Sequence, residues 1–566
     1  MAGEPAPVGD VHHCKIFGAD TPSPGEEHGA RREGKDGTGR PEPRKEAFAW
    51  EVWVQLCAGN ECVSKEEMSR RIGCVASGLK ELGVGHEDSV AMFLRNDLTF
   101  MVVAQAAAMI GALPVPLNWH SSSDEVRFML EDSEAKVLIG HSDLMRRLSS
   151  EALPAGIKSL WIEPGEALRD AFGLAEEDTR IPESETAFAT WLEGFSALIP
   201  EKKQLPRTVI YTSGTTGRPK GVVRNERTAE QIQALRQHLR QTYGFVGDES
   251  EGPVRTAVVA PHYHSSPSSH ATAAFDTGSD IFVMPRFDPE GLLALIERER
   301  ITHLNLVPIM FSRLLSLPAE VRKKYDLSSL RYVVHAAAPC PETIKREMID
   351  WWGPIIHETY GSTEMGTVTL CNSEDALAHP GTVGRPVSGA MVRIVDGTGA
   401  ELPPGEVGAI IGRAPGITDF VYRNQEDETK DCFMNGLIVS GDVGYLNEEG
   451  YLFITDRNKD MIISGGVNIY PAEIEAALHA FDEIDDCAVF GIPNKEYGES
   501  VCAYVQLRPG QSLTSEEVIA RLRDRIAGFK VPRRVEFAEA LPREDTGKVR
   551  KRLLRDPYWE NSSRRI

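Results

Sequence analysis

The chain has 566 residues, a formal net charge of −22 and a hydrophobic fraction of 41%. A single hydrophobic core stops growing near ~250 to 300 residues, so we expect at least two domains. The charged fraction of 26% is typical of globular proteins and excludes collagen-like and low-complexity classes. The negative charge disfavours nucleic acids and anionic membrane surfaces as partners, because it repels their phosphates.

The N-terminal segment is rich in Gly, Pro and charged residues and has no apolar run. It predicts a disordered tail over residues 1–45 rather than a signal peptide. The longest apolar stretch, Phe100 to Leu117, is interrupted by Gln105, Gly111 and two prolines, so it predicts a buried helix followed by a strand and no transmembrane segment. Nine cysteines without CxxC spacing favour reduced thiols and a cytoplasmic location.

Helical periodicity from Lys65 to Gly83 is followed by a strand pattern from Ser89 to Leu94, and the alternation continues through residue 310. This alternation indicates an α/β fold with a largely parallel, covered sheet. Further strands are predicted at Val137–Gly140, Val209–Thr212, Ala257–Ala260, Ile281–Met284, His303–Val307 and Tyr332–His335.

After Thr382 the pattern changes to short β-branched runs, which predicts a small antiparallel β unit that includes Val392–Val395 and Val407–Ile411. A compact α+β segment begins near Asp460. Its predicted elements are a helix from about Pro471 and strands at Cys487–Phe490 and Ser500–Leu507. We therefore expect a large domain of layered α/β subdomains over 46–458, a small α+β domain over 459–556 and a tail over 557–566.

The stretch from Thr208 to Gly221 is a predicted strand that leads into a loop dense in hydroxyls and glycines. Glycines allow close backbone approach, hydroxyls donate hydrogen bonds and Lys220 supplies a positive charge, so the loop is suited to phosphates. It does not match GxxxxGK[ST], which excludes a P-loop kinase or GTPase. A flexible turn is the alternative. The residues predicted to bind nucleotide here are Thr212, Ser213, Gly214, Thr215, Thr216, Gly217 and Lys220.

At this stretch the sequence resembles the adenylate-forming superfamily of acyl-CoA synthetases, luciferases and peptide-synthetase adenylation domains. The segment Tyr360-Gly361-Ser362-Thr363-Glu364 looks like its second signature. The resemblance implies that Tyr360 packs beside the adenine, that Thr363 contacts the α-phosphate and that Glu364 helps to hold Mg²⁺. Gly361 is also predicted to bind the nucleotide. One carboxylate agrees with the preference of Mg²⁺ for few protein oxygen ligands.

Three further segments resemble signatures in the same order, so that the resemblance covers residues 46 to 556. It implies that Asp442 grips the ribose hydroxyls and that Arg457 contacts the nucleotide. Lys459 takes the place of the hinge, and Gly465 and Gly466 line the coenzyme A tunnel. The remaining residue, Lys548, takes the place of the mobile catalytic lysine. Without the resemblance, Asp442 would be read as a β-turn residue and Lys548 as a solvated side chain.

Two segments resemble the walls of the acyl pocket. In Pro261 to Pro267, His264 occupies the position of a histidine that gates the carboxylate entrance, whereas His262 and His270 are read as hydrogen-bonded core histidines. Ala337, Ala338 and Pro339 resemble the wall shared by the acyl pocket and the adenine slot. Neither segment contains an acidic residue that could pair with an amino group, which favours a fatty, aryl or polycyclic acid.

The resemblance implies an ATP-dependent carboxylic acid:CoA ligase that makes an acyl-AMP, releases pyrophosphate and then forms a thioester. Its substrates and cofactors would be a carboxylic acid, ATP, Mg²⁺ and coenzyme A. Two alternatives stay open: an enzyme that loads a separate carrier protein, and a non-catalytic nucleotide-binding relative. For the oligomeric state, a monomer and a homodimer are both compatible with the sequence.

Overall fold

The computed structural model describes residues 55–199, 205–212, 219–246, 252–457, 460–464, 467–544 and 547–560. The predicted tail over 1–45 lies outside them. The strands are β1 (Leu56–Ala58), β2 (Glu61–Val63), β3 (Ser89–Phe93), β4 (Leu113–Pro116), β5 (Ala135–His141), β6 (Lys158–Ile162), β7 (Ile210–Thr212), β8 (Lys220–Arg224), β9 (Arg255–Val258), β10 (Asp280–Val283), β11 (His303–Leu306), β12 (Tyr332–His335), β13 (Ile356–Ser362), β14 (Gly366–Cys371), β15 (Arg385–Pro386), β16 (Met391–Val395), β17 (Gly408–Arg413), β18 (Phe420–Tyr422), β19 (Phe433–Met434), β20 (Leu437–Leu446), β21 (Leu452–Arg457), β22 (Ile462–Ser464), β23 (Val467–Ile469), β24 (Ile484–Asn494), β25 (Gly498–Leu507) and β26 (Arg534–Phe537).

The helices are α1 (Lys65–Glu81), α2 (Leu98–Met109), α3 (Ser123–Asp132), α4 (Ser142–Met145), α5 (Glu166–Phe172), α6 (Glu176–Thr179), α7 (Phe188–Leu192), α8 (Ala229–Thr242), α9 (Ser265–Thr277), α10 (Pro289–Glu299), α11 (Pro308–Leu315), α12 (Ala319–Arg322), α13 (Glu342–Trp352), α14 (Ser373–Ala378), α15 (Glu426–Lys430), α16 (Pro471–His479), α17 (Ser515–Arg523) and α18 (Lys551–Trp559). The last helix continues three residues past the predicted domain end at 556.

Two α/β sheets form most of the large domain. One has four parallel strands in the order β4-β3-β5-β6. The other has the order β15-β14-β13-β12-β11-β9-β10-β1-β2, and its strands from β13 to β1 are parallel whereas β2, β14 and β15 are antiparallel. The buried helix α2 packs in the hydrophobic core that both sheets share, which confirms the helix and strand predicted within Phe100 to Leu117.

The predicted antiparallel unit is a sheet in the order β16-β17-β20-β19, with β21 also paired to β20. A separate sheet joins β7, β8 and β18, so a strand from residue 420 onward completes the hairpin that holds Lys220. The C-terminal segment has a five-stranded mixed sheet covered by α16 and α17, and its core includes Ile474 and Leu522. The predicted α/β class with a small α+β domain is confirmed.

Local capping explains where several helices start. Ser64 accepts a hydrogen bond from the Glu67 N–H at 3.3 Å at the start of α1. Ser122 and Glu125 form a reciprocal capping box at the start of α3. Each pair satisfies backbone N–H groups that have no partner inside the helix. These signals are local, and the helix start predicted at Lys65 is observed.

The cysteine prediction is wrong for one pair. Cys57 and Cys62 are partners in the antiparallel β1–β2 pair and form a disulfide, with a Cα–Cα distance of 4.1 Å. Their spacing carries no redox motif, so only the strand register brings the two sulfurs together. The other cysteines in the described part of the chain are free: Cys74, Cys340, Cys371, Cys432, Cys487 and Cys502.

Among the described residues, none of the helices combines the length and the apolar character needed to span a bilayer. The longest apolar segment of the sequence ends instead in the covered sheet, as β4.

Candidate active site

The candidate site lies at the carboxyl ends of adjacent parallel strands. β13, β12, β11 and β9 are neighbours in the large sheet. Tyr360 lies near the end of β13, Ala337 follows β12, Ile309 follows β11 and His264 follows β9. In open α/β sheets such carboxyl ends form the crevice in which ligands bind. Four segments that are far apart in sequence therefore meet at one edge.

Tyr360 and Asp442 connect this edge to the antiparallel unit. The buried Tyr360 donates a hydrogen bond from its hydroxyl to Asp442 Oδ2 at 2.7 Å. Asp442 lies on β20 opposite Arg457 on β21. Its backbone N–H donates to Ser440 Oγ at 3.0 Å within the same strand. The fold thus brings together Tyr360, predicted to contact the adenine, and Asp442, predicted to contact the ribose.

Glu364 and Lys220 are linked by a tyrosine. Tyr422 on β18 donates its hydroxyl hydrogen to Glu364 Oε1 at 2.8 Å. The Lys220 ammonium lies 5.2 Å from the centre of the Tyr422 ring and forms an ion pair with Glu428. Burial and the neighbouring Glu364 carboxylate raise the pKa of Tyr422, so its hydroxyl keeps its proton and donates. The buried Tyr422 thus contacts both Glu364, the predicted metal ligand, through its hydroxyl and Lys220, the predicted phosphate-binding cation, through its ring.

Arg224 supports the turn that contains Thr363 and Glu364. Its guanidinium donates to the Thr363 carbonyl, to the Glu364 carbonyl at 2.7 Å and to the Thr418 carbonyl at 3.0 Å. Burial lowers the pKa of Arg224 to about 10, which leaves it charged at neutral pH. A half-buried cation among backbone carbonyls holds this turn in position and adds positive charge beside it.

The hydroxyl of Thr363 points toward the acyl-pocket segment. It donates to Ser265 Oγ at 3.1 Å, and Ser265 is the first residue of α9. His264 is the residue that precedes this helix, and its ring lies 4.2 Å from that of Tyr263. Thr363, the predicted phosphate contact, is therefore hydrogen-bonded to the residue that directly follows His264, the predicted gating histidine.

The two core histidines differ from each other. His270 is hydrogen-bonded to Thr256 Oγ1 at 3.0 Å, as predicted for a core histidine. His262 is equally buried, but neither ring nitrogen has a hydrogen-bond partner among the described residues, so the prediction is wrong for this residue. Burial lowers the pKa of His262 to about 4 and that of His270 to about 3. Both rings are neutral at pH 7.

Ala337 adopts a conformation that usually favours glycine, with φ of +77°. It is exposed, in a bend between β12 and α13 together with Ala338 and Pro339. The left-handed backbone of a non-glycine residue stores strain, and such strain is concentrated at functional sites.

The turn that carries Lys548 lies against the same edge of the sheet. The Glu544 N–H donates to the Lys548 carbonyl at 2.9 Å, and Arg543 donates to the Gly547 carbonyl while it pairs with Asp486. Gly547 packs on Ile309, the second residue of α11. The turn that carries Lys548 is thus beside the crevice of the large sheet.

Comparison with known proteins matches this arrangement. The sequence profile described as AMP-binding enzyme matches residues 38–421, and the profile described as AMP-binding enzyme C-terminal domain matches residues 473–548. The chain belongs to the AMP-binding enzyme family. The resemblance to the adenylate-forming superfamily and the predicted enzyme class, an AMP-forming acid-thiol ligase, are confirmed.

Relatives of this AMP-binding enzyme use different acids and acceptors. A fatty acid–[acyl-carrier-protein] ligase, ScoC of Streptomyces coeruleorubidus, is 30% identical over 90% of this chain and 94% of its own. A feruloyl-CoA synthase of an Amycolatopsis species is 32% identical over 88% and 94%. The structure of the amide bond synthetase McbA from Marinactinospora thermotolerans superposes with a TM-score of 0.77 at 25% identity, covering 90% of this chain and 97% of McbA.

Several predicted site residues of this AMP-binding enzyme lie outside the described residues: Ser213, Gly214, Thr215, Thr216, Gly217, Lys459, Gly465 and Gly466. Thr212 is described, as the partner of Lys220 in the β7–β8 pair. Sequence reasoning missed Arg224, Tyr422 and Glu428. None of these belongs to a recognised signature, and their contacts cross up to 208 residues of chain.

Proposed function

We propose that this enzyme activates an apolar carboxylic acid as an acyl-adenylate and then transfers the acyl group to the thiol of coenzyme A. The observation that supports this most is the meeting of Tyr360, Glu364, the His264 segment and the Lys548 turn at one sheet edge. A nucleotide, an acid and a catalytic cation would be brought together at such an edge.

We assign the nucleoside to Tyr360, Gly361, Asp442 and Arg457, and the phosphates to Thr212, Lys220, Thr363 and the 213–217 loop. Glu364 and the Thr363 hydroxyl offer hard oxygen donors, which fit Mg²⁺. When bound, the ion would neutralise part of the phosphate charge. The residues of the chain hold the turn for it, because Arg224 fixes the backbone and Tyr422 fixes the carboxylate.

In the proposed first step a carboxylate oxygen attacks the α-phosphorus of ATP, an O–P bond forms and the bond to pyrophosphate breaks. The acid is already ionised at neutral pH, since carboxyl pKa values lie near ~4, so no general base is needed. The main barrier is the repulsion between two anions, which positioned cations offset. Lys548 and Lys220 are our candidates for this role, and His264 for control of the acid entrance.

In the proposed second step the thiol sulfur attacks the acyl carbonyl, a C–S bond forms, the bond to AMP breaks and the thiol proton goes to solvent. We assign Gly465 and Gly466 to the passage of the thiol arm and Lys459 to a hinge that exchanges the two steps. Ala337, Ala338 and Pro339 would form one wall of the acid pocket. The small side chains and the lack of an acidic residue favour a fatty, aryl or polycyclic acid.

The acceptor of the acyl group has two candidates, coenzyme A and a carrier protein. The similarity to ScoC supports a carrier protein as the second candidate, and the similarity to the feruloyl-CoA synthase supports coenzyme A. We also propose a cytoplasmic location, which the six free cysteines of the described chain favour and the Cys57–Cys62 disulfide does not. We retain both a monomer and a homodimer, which sedimentation would distinguish.

Pyrophosphate release from MgATP, screened over short, long-chain, aryl and steroid acids with and without coenzyme A, tests the proposal. Release that increases with coenzyme A and yields a thioester is the expected result. Pyrophosphate release that does not change when coenzyme A is added would favour a carrier protein as the acyl acceptor. No release with any acid would favour a non-catalytic relative of the family.

The Lys548→Ala variant separates the two steps. It should lose adenylate formation yet still form thioester from supplied acyl-AMP, because Lys548 acts on the α-phosphate only. Lys495→Ala removes an exposed lysine of the same domain and serves as the matched control. Equal loss of both steps in Lys548→Ala would refute the assignment.

A further inference from the structure

Glu428 pairs with the lysine that the proposed function assigns to the phosphates. Its Oε2 is the ion-pair partner of Lys220 Nζ. Glu428 lies on α15, which also contains Glu426 and Asp427, and it belongs to none of the signatures that the sequence presents. Of the two partners in this ion pair, only Lys220 therefore belongs to a signature segment.

The two partners differ in their freedom to move. The Lys220 side chain is 11% exposed, and its backbone is held in β8 between β7 and β18. The Glu428 side chain is 41% exposed and lies at the surface end of the pair. Because the lysine is enclosed and the carboxylate borders solvent, Glu428 can rotate into water while Lys220 stays in place. A ligand for Lys220 would displace the glutamate.

The helix that carries Glu428 is attached to the same buried tyrosine. The Tyr422 N–H donates to Thr429 Oγ1 at 2.9 Å, and Thr429 in turn donates to the Gln425 carbonyl at 2.8 Å. Tyr422 also contacts both Lys220 and Glu364. The position of Glu428 is thus fixed relative to the residues assigned to phosphate and metal, whichever way its carboxylate points.

From this geometry we propose that Glu428 is an intramolecular competitor for the pyrophosphate end of the nucleotide. A carboxylate and a polyphosphate compete for the single ammonium group of Lys220 as their ion-pair partner. When both are present they also repel each other, by about 1 kcal/mol for two unit charges ~4 Å apart in water and by several times more near a protein surface. Glu428 therefore weakens the binding of ATP and of inorganic pyrophosphate at Lys220. Its return to the lysine favours release of the pyrophosphate product. This inference rests on the proposed function.

The test is the binding of inorganic pyrophosphate and of ATP, each with Mg²⁺, to the full chain by titration calorimetry. Glu428→Gln keeps the side-chain shape and removes the charge, and we expect both dissociation constants to fall about 3- to 10-fold at low salt, with a smaller change at high salt. The matched control is Asp427→Asn, which removes one charge from the same helix at a side chain that is 98% exposed.

Three results would overturn the inference. Unchanged or weaker binding by Glu428→Gln would mean that the carboxylate does not compete, and weaker binding would make it part of a cation site with Glu364. An equal fall of the dissociation constants in Asp427→Asn would mean that the effect comes from the overall charge of α15 and not from Glu428 in particular. If Glu428→Gln tightened binding to the same degree when Lys220 is already replaced by Gln, the effect would not depend on the Glu428–Lys220 ion pair.

Binding is measured without any acid, so the outcome does not depend on turnover. Wild-type protein that binds neither ligand would overturn both the inference and the proposed nucleotide site. Wild-type protein that binds both ligands, with an unchanged Glu428→Gln variant, would overturn the inference alone. Thermal unfolding of each variant confirms that the chain is folded.

Discussion

Gly547 lies so close to Ile309 that a Cβ on the glycine would be 2.5 Å from Ile309 Cγ2. Its φ is +80°, in the left-handed region. The residue before Lys548 therefore has two independent reasons to lack a side chain. The contact joins the terminal turn of the small domain to α11, which starts at the carboxyl end of β11.

Gly547→Ala should reduce adenylate formation by about 10-fold or more, because a 1 Å displacement of a catalytic group can cost ~100-fold. Thioester formation from supplied acyl-AMP should change much less. The two half-reactions are measured separately, by pyrophosphate release and by thiol consumption.

Gly510→Ala is the control for this variant. Gly510 has φ of +81° in the same domain, but a Cβ there would meet no atom within 4 Å. It shares the backbone strain, about 1–2 kcal/mol, without the contact to the large domain. If both alanine variants lost adenylation to the same degree, the contact with Ile309 would have no role in the first step.

Tyr422→Phe should raise the Mg²⁺ concentration needed for half-maximal pyrophosphate release by several-fold. The substitution removes the hydroxyl that holds Glu364, and a hydrogen bond to a charged group is worth about 1.5–3 kcal/mol. Tyr325→Phe is the matched control, since Tyr325 donates to Glu290 at 2.7 Å at a site remote from the crevice. An unchanged Mg²⁺ dependence in Tyr422→Phe would argue against Glu364 as a metal ligand.

Ala337→Val should destabilise the protein, whereas Ala337→Gly should not. At φ of +77°, glycine relieves about 1–2 kcal/mol of strain and loses up to ~1 kcal/mol through chain entropy, so stability should stay equal or rise slightly. Valine should lower the free energy of unfolding by more than ~1 kcal/mol because a β-branched residue fits this region poorly. Denaturant titration measures both. A valine variant as stable as the wild type would contradict the strained bend.

His262→Leu should make the stability less sensitive to acid. The folded pKa of about 4 lies below the ordinary value of 6.5, so unfolded protein binds more protons between these values and stability is lost as pH falls through that window. Leucine removes this ionisable group and breaks no ring hydrogen bond seen among the described residues. The slope against pH should therefore fall by up to one proton, about 1.4 kcal/mol per pH unit.

Denaturant titrations at several values between pH 7.5 and 4.5 measure this slope. Val259→Ala, a nearby buried change without a titrating group, should lower stability at every pH and leave the slope unchanged. A wild-type slope in His262→Leu would show that His262 does not contribute to acid unfolding.

Periodicity and punctuation in the sequence predicted about a third of the elements in the described residues. The helix predicted from Lys65 ends beside Gly83, the strand Tyr332–His335 is observed with the predicted bounds, and the helix predicted at Pro471 begins there. These features depend on side-chain alternation, capping and turn residues, which act over a few positions. The strand order could not be predicted in the same way, because it joins β9 to β11 and β1 to β10 across the chain.

The family, the order of the signatures and the residue types of the candidate site follow from the sequence alone, because each signature is a short segment whose chemistry can be read locally. The packed fold was needed to show that Tyr422 connects Lys220 with Glu364, that Glu428 pairs with Lys220 and that Cys57 bonds to Cys62. These contacts depend on strand register and on which loops share a sheet edge. Register and edge are properties of the packed chain, and no local pattern encodes them.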